Sequence, residues 1–205
     1  MSLVLKLSQR RKRQVIDIFF AVMRPDPAHT LLDLGGPSHD QGTLTKFFKT
    51  VFALNINPGD LGDVFAVHSQ EVRILGDGTA LPLRNASIDY VFCDQVIEHI
   101  AQALRLSFVR EIERVSRRGF LLSTPNFWFP FEPHYMMPFW QYLPERAKRR
   151  ISSFVKLGWI DGKTYHPIFL PTASEMRGLL PDATVKGLSF GPWMPETLIA
   201  YQTKD

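Results

Sequence analysis

Short apolar runs that close on a glycine or a polar residue alternate along this chain with stretches of helical periodicity. No other feature constrains the fold as strongly. A short run that is apolar throughout suits a strand buried on both faces, and helices between such strands cover a parallel sheet. Thr30-Leu31-Leu32-Asp33-Leu34 is the first of these strands and enters the glycine turn Gly35-Gly36-Pro37. Val51 to Asn55, Glu71 to Leu75, Ile88 to Cys93 and Phe120-Leu121-Leu122-Ser123 read as the next ones. Residues 8–23 read as a helix with Val15, Ile18, Phe19 and Val22 on one stripe, stopped by Pro25 and Pro27. Thr43 to Lys49 reads as a second helix. Ile100, Leu104, Phe108, Ile112 and Val115 mark one face of a third, which Gly119 is expected to end. Thr172 to Leu180 reads as a late helix, and Val185 to Phe190 and Thr197 to Gln202 as closing strands.

Between Pro125 and Pro144, prolines interleave with aromatic residues from Phe127 to Tyr142. Such a run makes neither a central strand nor a long helix, and it is expected to cover the carboxyl ends of the strands. Pro144 suits the first position of a basic helix that Gly158 is expected to end. The plan is one domain. Residues 1–27 are the N-terminal helix, 28–124 the core, 125–165 a lid and acceptor insertion, and 166–205 the C-terminal helix and strands.

Composition narrows the class. With 45% apolar and 21% charged residues in a chain of 205, the protein can bury a core of its own. The single cysteine, Cys93, excludes a disulfide framework and a cysteine-rich zinc site, and a reducing compartment is expected. A net charge of +4 is too small to diagnose nucleic-acid binding. The clusters Arg10-Arg11-Lys12-Arg13 and Arg146 with Lys148-Arg149-Arg150 are read as solvated helix faces. No apolar segment is long enough to span a bilayer, and Asp17 interrupts the stretch from Val15 to Met23. A cytoplasmic location is expected.

In open α/β sheets, ligands bind at the carboxyl ends of the strands. The segments that would meet there are the turn after the first strand, Asn55, Gly76-Asp77-Gly78, and Asp94-Gln95. Together with Thr79 to Leu83, Ile88-Asp89-Tyr90-Val91-Phe92, Val96-Ile97-Glu98-His99-Ile100 and Ser123-Thr124-Pro125-Asn126, they resemble the class I S-adenosylmethionine-dependent methyltransferases, particularly the type-11 group. The resemblance implies a Rossmann-like fold with a mainly parallel seven-stranded sheet, helices on both faces and a lid insertion. It implies S-adenosyl-L-methionine as cofactor and S-adenosyl-L-homocysteine as product. It places Asp33, Gly35, Gly36, Asn55, Ile56, Asp77, Gly78, Thr79, Asp94 and Gln95 around that cofactor, with Asp77 accepting a hydrogen bond from the adenine amino group. Two departures stand out. Asp33-Leu34-Gly35-Gly36-Pro37-Ser38-His39 keeps only the first family glycine in register, and Asn55 stands where an acid usually holds the ribose. An amide accepts a weaker hydrogen bond there than a carboxylate would.

The resemblance suggests an acidic-x-x-Glu-His metal element, as some quinone-pathway methyltransferases have there, but Gln95 leaves it incomplete, and Glu98 and His99 are read as helix-opening and capping groups. No metal is expected. Methyl transfer needs a base only where the acceptor must lose a proton, and His134 is the preferred candidate with His99 second. The basic helix over 144–157, with Ile151, Phe154 and Val155 set opposite Lys148, Arg149 and Arg150, is expected to allow peripheral contact with the inner face of a membrane. A small or lipid- or sugar-linked acceptor methylated on oxygen is therefore the leading expectation. A degenerate cofactor-binding protein without turnover and an RNA methyltransferase are the alternatives, and nucleic acid is not expected as a partner.

Overall fold

The computed structural model describes residues 3–35, 42–58, 71–155, 157–158, 165–189 and 194–204. Its main sheet is built from β1 (Thr30–Leu34), β2 (Thr50–Asn55), β3 (Glu71–Leu75), β4 (Ile88–Asp94), β5 (Ser116–Pro125), β8 (Thr184–Leu188) and β9 (Thr197–Thr203). The strand order is β3-β2-β1-β4-β5-β9-β8. The first five strands pair in parallel, while β9 runs antiparallel to both β5 and β8. The order reverses between β1 and β4, which opens a crevice at their carboxyl ends.

Strand alternation divides the core into two layers. Leu32, Val91, Cys93, Phe120, Leu122 and Ala200 face α3 (Arg105–Val115) and α5 (Ala173–Leu179). Their neighbours Leu31, Tyr90, Phe92, Leu121 and Ile199 face α1 (Leu3–Met23) and α2 (Gly42–Phe47). Near-continuous apolar runs are required because both faces of each central strand are covered. On α1, Val15, Phe19 and Met23 form the buried stripe.

Several boundaries differ from the sequence expectation. The helix expected from Ile100 is two short 3-10 turns, Ile97–His99 and Gln102–Leu104, followed by α3. Gly119 does not end it. Helix α3 passes straight into β5 at Ser116, whose φ of −76° and ψ of 127° are already extended. Gly119 lies inside β5 opposite Thr203, where a Cβ would stand 2.4 Å from the Gln202 carbonyl oxygen. Close approach of two strands, not a helix cap, is what requires glycine there. Strand β5 also runs on to Pro125, which pairs with Thr197.

Beyond β5 the insertion forms a two-stranded hairpin, β6 (Phe131–Glu132) and β7 (Met137–Pro138), then a 3-10 turn (Trp140–Tyr142) and α4 (Glu145–Phe154). Pro138 sits in that hairpin opposite Phe131, so proline did not forbid pairing at so short an edge. Tyr135 and Trp140, each 2% exposed, stack with centroids 4.5 Å apart and form the insertion's own core. The Tyr135 hydroxyl donates to the His166 carbonyl at 2.6 Å. Pro144 is the cap preceding α4 rather than its first residue, and α4 ends at Phe154, short of Gly158. Its basic face is not simply solvated. Lys148 is buried with Ser152 and donates to Glu145 at 3.1 Å, while the Arg149 guanidinium lies over the Tyr165 ring. Phe154, on the other side, is 72% exposed.

Candidate active site

The carboxyl ends of β1, β2 and β3 are stitched by backbone hydrogen bonds. Gly35 N–H donates to the Leu54 carbonyl at 2.8 Å, and Gly76 N–H donates to that of Asn55 at 3.0 Å. Gly35 has a φ of 78°, and a Cβ there would lie 2.4 Å from the Val96 Cγ2. Only glycine accepts both the left-handed backbone and the close approach. Asn55, nearly buried, accepts from Asn57 N–H at 3.2 Å and donates weakly to the Gly35 carbonyl at 3.5 Å. The Ile56 side chain is 63% exposed. Asp77 folds back on itself: one carboxylate oxygen, Oδ1, accepts from both Thr79 N–H and Thr79 Oγ1 at 2.8 Å. Gly78 begins that turn, and Asp33 is buried within β1. Gly36 falls outside the described residues.

At the end of β4 the structure adds a partner that the sequence reading did not foresee. Asp94 is not an open pocket group, because Arg11 of α1 grips it with two hydrogen bonds of 2.7 and 3.0 Å. The same guanidinium donates to Gln95 Oε1 at 3.1 Å, and Ser123 Oγ donates to Asp94. Burial alone would raise the Asp94 carboxyl, but the Arg11 charge and hydrogen bonds hold it below its ordinary value. Arg11 was read as part of a solvated cluster. Only the tertiary structure, which brings together residues 83 apart, shows its role.

Beside this pair lies a denser cluster. Glu98 is fully buried; its Oε2 accepts from Thr124 Oγ1 at 3.0 Å, and its Oε1 has no hydrogen-bond partner among the described residues. The insertion brings His134 to it, with Nε2 3.8 Å from Glu98 Oε1. His134 Nδ1 meets Glu132 Oε1 at 2.7 Å, and Glu132 Oε2 also accepts from Tyr135 N–H at 2.6 Å. The His99 and His134 rings stand edge to face with centroids 5.1 Å apart. Burial pushes the Glu98 carboxyl up to about 7. Burial and the neighbouring His134 push His99 down to about 4. For His134 burial works downward, but the Glu132 hydrogen bond and the Glu98 charge outweigh it and raise the imidazole. The two expected histidines therefore do meet. Glu98 and Glu132, which complete their surroundings, were not anticipated as a group.

A cleft of about 420 Å³ opens between α1 and the insertion. Leu7, Phe129, Phe131 and Pro133 give it an apolar wall, while Arg11, Gln95, His134 and Glu196 supply polar atoms. Phe129 and Phe131, both half-buried, are the aromatics that line this cleft, whereas Tyr135 and Trp140 are buried.

Strand order, switch point and the polar carboxyl edge define a class I methyltransferase fold. Magnesium protoporphyrin IX methyltransferase from Synechocystis PCC 6803, solved with bound S-adenosylhomocysteine, superposes with a TM-score of 0.65 at 14% identity, covering 100% of this chain and 88% of that one. A Pyrococcus horikoshii OT3 protein superposes at 0.68 with 12% identity, covering 97% and 91%. An S-adenosylmethionine-dependent methyltransferase from Aquifex aeolicus gives 0.58 at 13%, covering 92% and 87%. Among curated proteins, no sequence matches the chain. Residues 32–123 match the methyltransferase domain of type 11. Over those residues the chain resembles the type-11 methyltransferase domain, and its fold is that of the class I S-adenosylmethionine-dependent methyltransferases. No helix among the described residues is long and apolar enough to cross a membrane.

Proposed function

We propose that the protein transfers a methyl group from S-adenosylmethionine to a hydroxyl of a small or lipid- or sugar-linked acceptor whose apolar body lies in the cleft between α1 and the insertion. The cleft carries this reading, because Phe129, Phe131 and Pro133 line it while His134 reaches it at the carboxyl edge of the sheet. The cofactor would be held by the Gly35 turn, Asn55, and the Asp77-Gly78-Thr79 turn. Asp77 spends Oδ1 on Thr79 and has Oδ2 to offer an exocyclic amine. S-adenosylmethionine supplies a methyl group already activated on a sulfonium, so the protein's work is positioning and proton removal. His134 is the proton acceptor in this reading: Glu132 holds Nδ1 and fixes the ring, which leaves Nε2 to take the hydroxyl proton. His99, packed against it, stands second.

Calorimetry with S-adenosylmethionine and S-adenosylhomocysteine tests the first half. Asp77→Ala is expected to weaken binding by about 1–3 kcal/mol, the cost of orphaning a donor. The second half is tested by methyl transfer from labelled cofactor to a panel of apolar alcohols and phenols. There His134→Ala should lower kcat by about 10²–10⁴ without changing cofactor affinity. Equal kcat in the variant overturns the base assignment.

Exposed Phe154 and Val155 beside Arg150 support peripheral contact of α4 with an anionic bilayer. Vesicles containing phosphatidylserine should retain the protein at low salt and release it at high salt. Phe154→Ser with Arg150→Gln should abolish retention, and unchanged retention removes this part of the reading.

A further inference from the structure

Glu98, His99 and His134 present one carboxylate oxygen and two imidazole nitrogens within 4.8 Å of one another. We infer that this triad is a binding site for a divalent transition cation at the wall of the acceptor cleft. The sequence reading placed no metal here, because it looked for an acid at Gln95; the insertion instead brings His134 to Glu98 and His99 as the third donor.

The decisive observation is Glu98 Oε1. It is wholly buried, has no hydrogen-bond partner among the described residues, and lies 3.8 Å from His134 Nε2. A buried acceptor left unpaired costs free energy that a cation would recover. Arg11 does not recover it, since its guanidinium is spent on Asp94 and Gln95.

Surrounding contacts are those of a metal site. Glu132 takes His134 Nδ1, which leaves the Nε2 lone pair for a ligand bond, and Thr124 orients Glu98 through Oε2. A carboxylate behind a ligating histidine sets the tautomer and raises its basicity. Two imidazoles and one carboxylate favour zinc, cobalt or manganese over calcium or magnesium. Ligands of a tetrahedral ion at about 2.0–2.1 Å stand closer together than these three do, so the cluster must contract on binding. His99, at the exposed rim of the cluster, is the ligand whose inward shift would close it. Cation and proton compete for the His134 Nε2 lone pair, so base and ligand are roles of different states of the site.

The test uses the full chain, stripped with a chelator, and needs neither cofactor nor acceptor, so its outcome is separate from that of the methyl-transfer reading. Calorimetric titration with Zn²⁺, and with Co²⁺ followed by its visible d–d absorption, should show one equivalent bound. His99→Ala and His134→Ala should each weaken binding at least tenfold, and their double variant should abolish the cobalt spectrum. Glu98→Gln, which keeps the buried volume, should also weaken binding, while His29→Ala on the opposite edge of the sheet should not. Binding should raise the Tm of the parent protein but not of the double variant. Absence of stoichiometric binding, or binding that survives in the double variant, overturns the site.

Discussion

Strand β4 carries a carboxylate near each end, and the two ends are built differently. At the amino edge Asp89 is saturated: it accepts from Thr30 N–H at 2.9 Å and Thr30 Oγ1 at 3.0 Å, and from Arg117 and Arg118. Thr30 Oγ1 in turn accepts from Asp89 N–H at 3.0 Å. That clasp ties β4 to β1 through Thr30 and to β5 through Arg117 and Arg118. At the carboxyl edge Asp94 takes its charge partner from a helix at the far end of the chain, with a hydrogen bond from Ser123, and Glu98 just beyond it keeps one buried oxygen without a hydrogen bond among the described residues. The amino edge is arranged for stability; the carboxyl edge holds polar groups whose partners come from elsewhere. Local instability at a site is commonly what function retains.

Removing the Arg11 side chain should produce the largest effect. Arg11→Ala would strand Asp94 as a buried, unpaired charge, and a loss of about 3–5 kcal/mol in urea unfolding is expected. The double variant Arg11→Ala with Asp94→Ala should lose less than the sum of the two single variants. Additive losses would break the contrast between the two edges, since Asp94 would then not depend on α1.

Asp89→Asn should have the next largest effect, and its pH dependence sharpens the comparison. Burial alone would raise the Asp89 carboxyl, but the Thr30 and arginine hydrogen bonds hold it down at about 2, against 3.8 when unperturbed. A carboxylate depressed on folding stabilises above its unfolded pKa, and that contribution fades as pH falls from about 4 towards 2. Arg117 and Arg118 are about half exposed, so solvent screening reduces the value to about 1–2 kcal/mol. The parent and Asp89→Asn should therefore differ in Tm at pH 7 and converge near pH 2. A constant difference across that range would mean the clasp does not act through charge.

Glu98→Gln should have the smallest effect and the opposite sign. The amide keeps an acceptor for Thr124 and gives His134 a donor, so the chelator-treated variant should gain about 0.5–1 kcal/mol. A loss comparable with that of Asp89→Asn would show that Glu98 is as well satisfied as Asp89, and the contrast between the two edges would fail.

Strands β1 to β4, the carboxyl-edge segments at Gly35, Asn55, Asp77 and Asp94, and the exclusion of disulfide chemistry were legible in the sequence alone. Apolar runs buried on both faces and the turn residues that follow them are local signals, each carried by neighbouring positions. The boundaries missed at α3 and Gly119 had a non-local cause. Glycine there answers to Gln202 on a strand far along the chain, not to the helix before it. The same holds for the site. Arg11 looks like any surface arginine until α1 packs across β4, and His134 is one histidine among prolines until the hairpin carries it to Glu98. Periodicity records which face of an element is buried, whereas the partner of a polar side chain depends on how distant elements dock. Burial then sets the consequence: the Glu98 carboxyl is pushed up to about 7 because packing removes its water, and no spacing in the sequence encodes that.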